Sequence, residues 1–253
     1  MLGYSVRKTP DLQIADAGLR SFKLLRILSQ STLTSNLPLE QAIHILDKSK
    51  SQLGQDVLAL STVGTSKSGF FVEFGATNGL DLSNTHILET TFGWTGILCE
   101  PATIWHDALE SNRSCKIDKR CVYSVSGQKV NFTEGSIREL SGISSFAADD
   151  KRISNDRGAT TYEVETVSLR DLLRFHESPA YIDFISIDTE GSEYEILRDF
   201  DFSEYTFGFV CVEHNFTSNR ARLKHLLSRN GYSQVHPDLS LWDDWYVGPQ
   251  PMK

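Results

Sequence analysis

Apolar residues along this chain follow two patterns that alternate through its middle and C-terminal parts. Mostly apolar runs at residues 70–74, 181–187 and 207–212 predict strands, and the run at 181–187 predicts a buried strand, as in a parallel sheet. Segments with the helical spacing of apolar residues follow the first and third runs, at residues 82–91 and 221–229. Because strands alternate with helices, we expect an α/β fold with a doubly wound, mostly parallel sheet and helices on both faces.

Weaker patterns predict the remaining elements. Short apolar stretches indicate a second strand at residues 96–98 and a third strand within residues 115–122. Residues 130–133 and 162–166 could form an antiparallel pair. Further predicted elements are helices at residues 101–110, 168–175 and 193–198 and terminal strands at Val235 and residues 245–247.

The N-terminal part of the chain has helical character throughout. Apolar stripes run from Leu19 to Ile27 and from Leu39 to Leu46, and a third helix is expected at residues 55–60. We therefore predict an N-terminal helical extension at residues 1–60 and a sheet domain at residues 61–253. The extension would either cap an edge of the sheet or act as a dimerisation or substrate-covering arm. A homodimer is therefore possible.

Residues 134–160 connect the two segments of the predicted antiparallel pair. The connection is longer than most loops and is rich in Ser, Gly, Asp and Arg, which predicts either a lid or a disordered insert. If it is a lid, Ser144 and Ser145 could contact the substrate.

Charge and cysteine content narrow the class of protein. The net charge of −8 offers no basic footprint for duplex nucleic acid. No apolar run reaches the roughly 20 residues that span a bilayer, and the N-terminal residues lack the apolar stretch of a signal peptide. The four cysteines show no metal-ligand spacing and are expected to be reduced thiols. The sequence thus predicts a cytoplasmic protein with no transmembrane segment.

The loop after the first strand has the composition of a ligand-binding turn. Gly75 and Gly79 permit a sharp turn and a close approach of the backbone to a ligand, and Asn78 adds an amide between them. Glu73 favours a ligand with positive charge, such as the sulfonium and ammonium groups of S-adenosylmethionine. An ordinary strand-to-helix turn would explain the glycines equally well.

Two further polar residues could contact the same ligand. Glu100 ends the second strand, where an acid can accept both hydroxyls of a ribose, as it also does in NAD enzymes. Asn84, near the start of the next helix, could orient the cofactor or the substrate, or it could cap the helix. The predicted cofactor contacts are Glu73, Gly75, Asn78, Gly79, Asn84 and Glu100.

Acidic residues also follow the two later strands. Asp188 and Glu190 follow one strand, and Glu213, His214 and Asn215 follow the next. Because parallel strands end at the same edge of a sheet, Asp188, Glu213 and Asn215 could together bind Mg²⁺, whose ligands are oxygens. In a metal-free alternative His214 is the general base, and Asp188 and Glu190 are the other candidate catalytic residues. A strand-end histidine bonded to a backbone carbonyl would have no catalytic function.

Three blocks of sequence resemble the FkbM family of methyltransferases. They are Phe70-Phe-Val-Glu-Phe-Gly-Ala, Gly93-Trp-Thr-Gly-Ile-Leu-Cys-Glu-Pro and Ser186-Ile-Asp-Thr-Glu-Gly-Ser-Glu, and the likeness runs from about Ser51 to the end of the chain. One departure is Asn78, where Asp is frequent. The resemblance implies a Rossmann-like fold, S-adenosylmethionine as cofactor, and methyl transfer that is usually to a hydroxyl oxygen, with sugars of glycans and natural products among the acceptors.

Other interpretations stay open at this stage. A nicotinamide-dependent oxidoreductase would share the strand and the ribose acid, but the loop lacks the third glycine of that fingerprint. A non-catalytic module would bind the cofactor without transferring a methyl group. Residues 242–246, Trp-Asp-Asp-Trp-Tyr, suit a carbohydrate surface, although a terminal strand packed on the sheet is the simpler interpretation.

Overall fold

The structure is a computed structural model. It describes Leu24 and residues 37–65, 68–137, 139–147, 156 and 158–249. The predicted apolar stripe from Leu19 to Ile27 therefore lies outside the described residues, apart from Leu24. Within this part of the chain, no helix has the length and apolar character needed to cross a membrane.

Strands and helices alternate as the apolar pattern predicts. The strands are β1 (Phe70–Phe74), β2 (Thr95–Cys99), β3 (Lys116–Asp118), β4 (Cys121–Tyr123), β5 (Lys129–Glu134), β6 (Gly142–Ile143), β7 (Thr160–Ser168), β8 (Tyr181–Ile187), β9 (Thr206–Glu213), β10 (Ser233–Val235) and β11 (Asp243–Val247). The helices are α1 (Leu39–Lys48), α2 (Gln55–Val63), α3 (His86–Thr90), α4 (His106–Asn112), α5 (Ser144–Ala147), α6 (Leu169–Phe175), α7 (Glu193–Leu197) and α8 (Asn219–Arg229), with a 3-10 turn, Thr103–Trp105, before α4.

The main sheet has seven strands in the order β10-β11-β9-β8-β1-β2-β3. Neighbours from β9 through to β3 are parallel, whereas β11 runs antiparallel to β9 and β10. The chain builds outward from β1 to β2 and β3, and it later adds β8 on the other side of β1. The strand order therefore reverses at β1, where a doubly wound sheet opens a crevice for ligands. The predicted Rossmann-like fold is confirmed.

A second sheet, in the order β4-β7-β5-β6, lies beside the carboxyl ends of the main strands. The antiparallel pairing predicted for residues 130–133 and 162–166 is present between β5 and β7. The third strand predicted within residues 115–122 is present as β3, and the chain turns after it into β4. The Asp118 carboxylate accepts hydrogen bonds from the amide and the guanidinium of Arg120, which closes this turn and directs β4 into the second sheet.

Helix α3 begins at His86, later than the start predicted at residue 82. The hydroxyls of Ser83 and Thr85 and the amide of Asn84 donate hydrogen bonds to the carboxylate of Glu73 instead of entering a helix. A tertiary contact thus replaces the first predicted helical turn.

Apolar clusters fill both faces of the main sheet. Val72 belongs to the same cluster as Leu226 of α8 on one face, and Phe71 belongs to the same cluster as Val57 of α2 on the other. Neighbouring strand residues point to opposite faces, so β1 contributes to both clusters. Trp245 and Tyr246 are fully buried, as expected of a terminal strand. Helices α1 and α2 join the face of Phe71, while the domain boundary at residue 60 stays a prediction.

Candidate active site

A cavity of about 1230 Å³ opens at the carboxyl ends of β1, β2, β8 and β9. The second sheet closes one side with Val122 and Phe132, and Leu140 and Phe146 follow from the insert. Of the predicted site residues, Asn78 and Gly79 do not line the cavity. Those that line it are Glu73, Gly75, Asn84, Glu100, Asp188, Glu190, Glu213, His214 and Asn215.

The carboxylate of Glu73 is turned toward its own chain. Oε2 accepts hydrogen bonds from the hydroxyls of Ser83 at 2.9 Å and Thr85 at 2.5 Å, and Oε1 accepts one from the amide of Asn84 at 2.7 Å. Arg113 Nη1 lies 3.8 Å from Oε2. These contacts favour a function in holding the segment after β1. Direct pairing of Glu73 with a cofactor charge stays a prediction.

The two glycines of the loop are required by packing. Gly75 has φ +70°, and a Cβ there would lie 2.2 Å from the carbonyl oxygen of Asp188, so β1 and β8 approach too closely for any side chain. A Cβ on Gly79 would lie 2.6 Å from Cγ of Arg113. Between them, the Asn78 side chain bonds the amides of Leu80 and Asp81 and closes a turn. Cofactor contacts of Asn78 and Gly79 remain untested predictions.

Glu100 has a buried carboxylate held in one orientation. Oε2 accepts the amide of Thr77 at 2.7 Å, and Oε1 accepts the amide of Ala102 at 2.8 Å. Burial raises the pKa of Glu100 to about 7, although both amides favour the ionised form. Each carboxylate oxygen keeps a lone pair for a donor on a ligand. This geometry suits the acceptance of two neighbouring hydroxyls.

Asn84 lies on the cavity wall and contacts β8. Its Nδ2 donates to Oγ of Ser186 at 2.9 Å, and its Oδ1 is buried without a hydrogen-bond partner among the described residues. A buried, unpartnered oxygen costs free energy. A donor on a bound ligand would therefore be stabilised at this position.

Three carboxylates converge at the ends of β8 and β9. Asp188, Glu190 and Glu213 each place one carboxylate oxygen within 4.8 Å of the others. Burial first, and then the charge of Glu190, raise the pKa of Asp188 well above its usual range. Burial and the charge of Asp188 do the same to the pKa of Glu213. A shared proton or a bound cation would relieve this repulsion.

His214 has both ring nitrogens engaged by the backbone. Nδ1 accepts the amide of Phe216 at 2.9 Å, and Nε2 lies 2.9 Å from the carbonyl oxygen of Asp243. These are the contacts of a strand-end histidine bonded to a carbonyl, and they leave neither nitrogen for an acceptor hydroxyl. The general-base function of His214 stays a prediction that this geometry does not favour.

Asn215 is not one of the three convergent side chains, but it contacts one of them. Its Nδ2 donates to Oε2 of Glu190 at 3.2 Å. The predicted cation ligands were Asp188, Glu213 and Asn215, whereas the three side chains that converge are Asp188, Glu190 and Glu213. Asn215 therefore orients Glu190 in this structure, and its function as a ligand stays a prediction.

Backbone strain concentrates around the cavity. Thr77, Glu190, Asn215 and Phe216 have φ values of 47°, 54°, 43° and 57°, which L residues seldom adopt. All four line the cavity. Strained residues persist where the surrounding structure holds them, and they are common at functional sites.

Sequence reasoning did not select Gln55 or Arg113 for the site, and it considered Asp243 only as part of the block at residues 242–246. Gln55 Nε2 donates to Asp243 at 2.9 Å, a contact that joins α2 to β11, and burial raises the pKa of Asp243 to about 6. Arg113 is buried behind the loop after β1. Each of these contacts joins residues far apart in the chain, so no local pattern signals it.

Comparisons with known proteins agree with the resemblance seen in the sequence. The model of the methyltransferase FkbM domain matches residues 73–234, which contain every predicted site residue. No curated protein matches the chain.

Solved structures give distant likenesses. Methyltransferase FkbM from Methylobacillus flagellatus KT is 14% identical in sequence, with a TM-score of 0.45. The match covers 92% of this chain and 60% of that protein, so this chain spans about 60% of the length of the Methylobacillus protein. The human methyltransferase 10 domain containing protein is 12% identical with a TM-score of 0.42, over 97% of this chain and 100% of that one. The N-terminal domain of human METTL16 in complex with SAH is 13% identical with a TM-score of 0.37, over 91% and 80%. Likenesses at this level carry no conclusion about the substrate.

Proposed function

Because the chain belongs to the FkbM methyltransferase domain family, we propose that it transfers a methyl group from S-adenosylmethionine to a hydroxyl oxygen of a sugar, a glycan or a natural product. The observation that carries the proposal is the Glu100 carboxylate, which two amides orient beside the glycine turn in the same cavity as three convergent carboxylates. A ribose site and a proton-accepting site thus share one space.

The residues present fit the cofactor. Glu100 would accept the two ribose hydroxyls, and Asn84 Oδ1 would accept a donor at the wall. The absence of a side chain at Gly75 keeps the backbone of β1 close to Asp188. When bound, S-adenosylmethionine supplies an electrophilic methyl group.

The carboxylate cluster would prepare the acceptor. A hydroxyl is a weak nucleophile until its proton is removed, and a base works best when its pKa lies near the operating pH. Asp188 and Glu213 have raised pKa values, because burial disfavours their charged forms and a neighbouring carboxylate, Glu190 for Asp188 and Asp188 for Glu213, adds repulsion. We assign the proton acceptor to Asp188, with Glu190 close enough to share the proton. The cluster would also orient the acceptor oxygen toward the methyl group.

A divalent cation is a second way in which the same cluster could act. Glu213 Oε2 is buried without a hydrogen-bond partner among the described residues and faces the cavity, as a cation ligand would. Hard cations such as Mg²⁺ prefer carboxylate oxygens. The candidate ligands are Asp188, Glu190 and Glu213, with Asn215 beside them. A bound cation would lower the pKa of the acceptor hydroxyl.

Calorimetry with S-adenosylhomocysteine tests the cofactor assignment. We expect Glu100→Gln to weaken binding about tenfold or more. The variant loses one acceptor for the ribose, and its side-chain NH₂ group would face a backbone N–H from which it cannot accept a hydrogen bond. The matched control is Glu110→Gln, an exposed glutamate of α4 that should bind as the wild type does. Equal affinities in the two variants would show that Glu100 does not bind the cofactor. Binding of NADH, with none of S-adenosylhomocysteine, would support the oxidoreductase instead.

Methyl transfer itself is measured in the same preparation. Labelled S-adenosylmethionine and a pool of neutral glycans and metabolites should yield label that resists mild alkali, as a methyl ether does. Tight cofactor binding with no label in any acceptor would favour the non-catalytic module.

A titration with Mn²⁺, monitored by the electron spin resonance signal of the ion, tests whether the cluster binds a cation. Binding that is lost in Glu213→Gln would support the cation, since that variant loses a buried ligand oxygen. An exposed-site control, Glu110→Gln, should bind Mn²⁺ as the wild type does. Absence of saturable binding, together with full methyl transfer in excess chelator, would leave the shared proton as the function of the cluster.

A further inference from the structure

Arg113 is a buried cation directly behind the cavity wall. Its side chain is 0% exposed. Nη1 donates to the carbonyl oxygen of Gly79 and to Oγ of Ser83, both at 3.1 Å, and Nη2 donates to Oγ1 of Thr85 at 3.0 Å. Nε forms a 2.5 Å ion pair with Glu89, which does not line the cavity. Four of the five N–H groups of the guanidinium thus have a hydrogen-bond acceptor.

Two hydroxyls connect Arg113 to Glu73. Ser83 and Thr85 each accept a hydrogen bond from the guanidinium and donate their own proton to Glu73 Oε2. The two charges lie 3.8 Å apart, and Glu73 is buried at the end of β1. The hydroxyl protons can satisfy both groups only in this direction, so the network specifies one arrangement.

The segment held by this network is a wall of the cavity. Residues 76, 77 and 81–84 line the cavity, whereas Arg113 does not. The wall contains Thr77 and Leu82 with φ values of 47° and 62°, a conformation that must be held from outside. Gly79 packs directly on the Arg113 side chain.

We infer that Arg113 is a positioning residue for the cofactor, and this inference rests on the proposed function. Arg113 and Glu73 together fix the wall that carries Thr77, which orients Glu100, and Asn84, whose amide Glu73 accepts. Arg113 does not line the cavity, so its charge would reach the cofactor only indirectly. Both charges act through the backbone and the hydroxyls of the wall.

The closing experiment measures the Kd of S-adenosylhomocysteine beside the melting temperature. Arg113→Lys keeps the charge but loses the planar fork, and we expect about tenfold weaker binding, the effect of losing one or two buried hydrogen bonds. The matched control is Glu89→Gln, which breaks the other ion pair of Arg113. It should lower the melting temperature and leave the Kd unchanged.

A second pair of variants keeps the inference testable if Arg113→Lys does not fold. Thr85→Val preserves the shape of the side chain and removes the hydroxyl between the two charges, so it should weaken binding, while Thr85→Ser should restore it. Wild-type affinity in Arg113→Lys or Thr85→Val would overturn the inference, as would equal losses of affinity in Glu89→Gln and Arg113→Lys. If the wild type itself does not bind S-adenosylhomocysteine, the proposed function fails first.

Discussion

At the residue scale, the carboxylates around the cavity differ in environment because their oxygens accept hydrogen bonds from different partners. Glu73 accepts from two hydroxyls and an amide of its own wall. Glu100 accepts from two amides and keeps lone pairs directed to the cavity. Asp188 and Glu213 face each other and have raised pKa values. These four acids thus have three kinds of environment, which suit the three functions proposed for them: holding the wall, binding ribose and accepting a proton.

Gly75 yields a residue-scale prediction with an internal control. In Gly75→Ala the new Cβ would clash with the carbonyl oxygen of Asp188, while Gly127, at φ +76°, has no atom within 4 Å of its Cβ position. Gly127→Ala should cost on the order of 1 kcal/mol for its backbone conformation alone. Gly75→Ala should cost several times more in the urea-derived free energy of unfolding and also weaken S-adenosylhomocysteine binding. Equal costs in the two variants would contradict the close packing of β1 on β8.

At the element scale, the apolar pattern predicted the central strands well, and it failed where side-chain contacts redirect the chain. The segment 181–187 is a strand with the predicted bounds, because a strand buried on both faces has an unambiguous apolar run. The chain turns from β3 into β4 of the second sheet because Asp118 bonds Arg120, and helix α3 starts late because Glu73 bonds the residues before it. Neither contact can be predicted from the propensity or the periodicity of the segment.

The second sheet shows a related limit at this scale. The pairing of β5 with β7 was predictable from two short segments, but its place against the cavity was not. Tyr162 donates to Glu134 at 2.7 Å and accepts from the amide of Thr103 at 3.0 Å, which ties this sheet to the turn after β2. Residues of the insert such as Ser141 and Phe146 line the cavity, and their function as a lid stays a prediction.

At the scale of the whole molecule, burial of acids makes stability depend on pH. Burial raises the pKa of Glu100 from 4.5 to about 7, and the pKa values of Asp56 and Asp243 from 3.8 to about 6. Their folded state binds protons more tightly than the unfolded chain, so their contribution is fully present below about pH 4 and is lost as the pH rises through 6 to 7. The lowered pKa values of His86 and His236 act with the opposite sign.

We therefore expect the free energy of unfolding of the ligand-free protein to fall between pH 5 and pH 8. The change at Glu100 alone corresponds to roughly 3 kcal/mol, and burial of Asp56 and Asp243 acts in the same direction. Urea denaturation at several pH values measures the slope, and Glu100→Gln should make it shallower. A flat or rising profile in the wild type would contradict the buried, protonated state of these acids.

The sequence by itself determined the fold class and the edge of the sheet that carries the site. Both follow from local properties, since apolar periodicity specifies strands and helices, and parallel strands must end at a common edge. Only the tertiary structure decided which side chains meet there. It engaged both nitrogens of His214, brought Glu190 to Asp188 and Glu213, and buried Arg113 behind the wall. Those outcomes depend on burial and on contacts between distant residues, and neither is encoded in the spacing of residues along a single strand or helix.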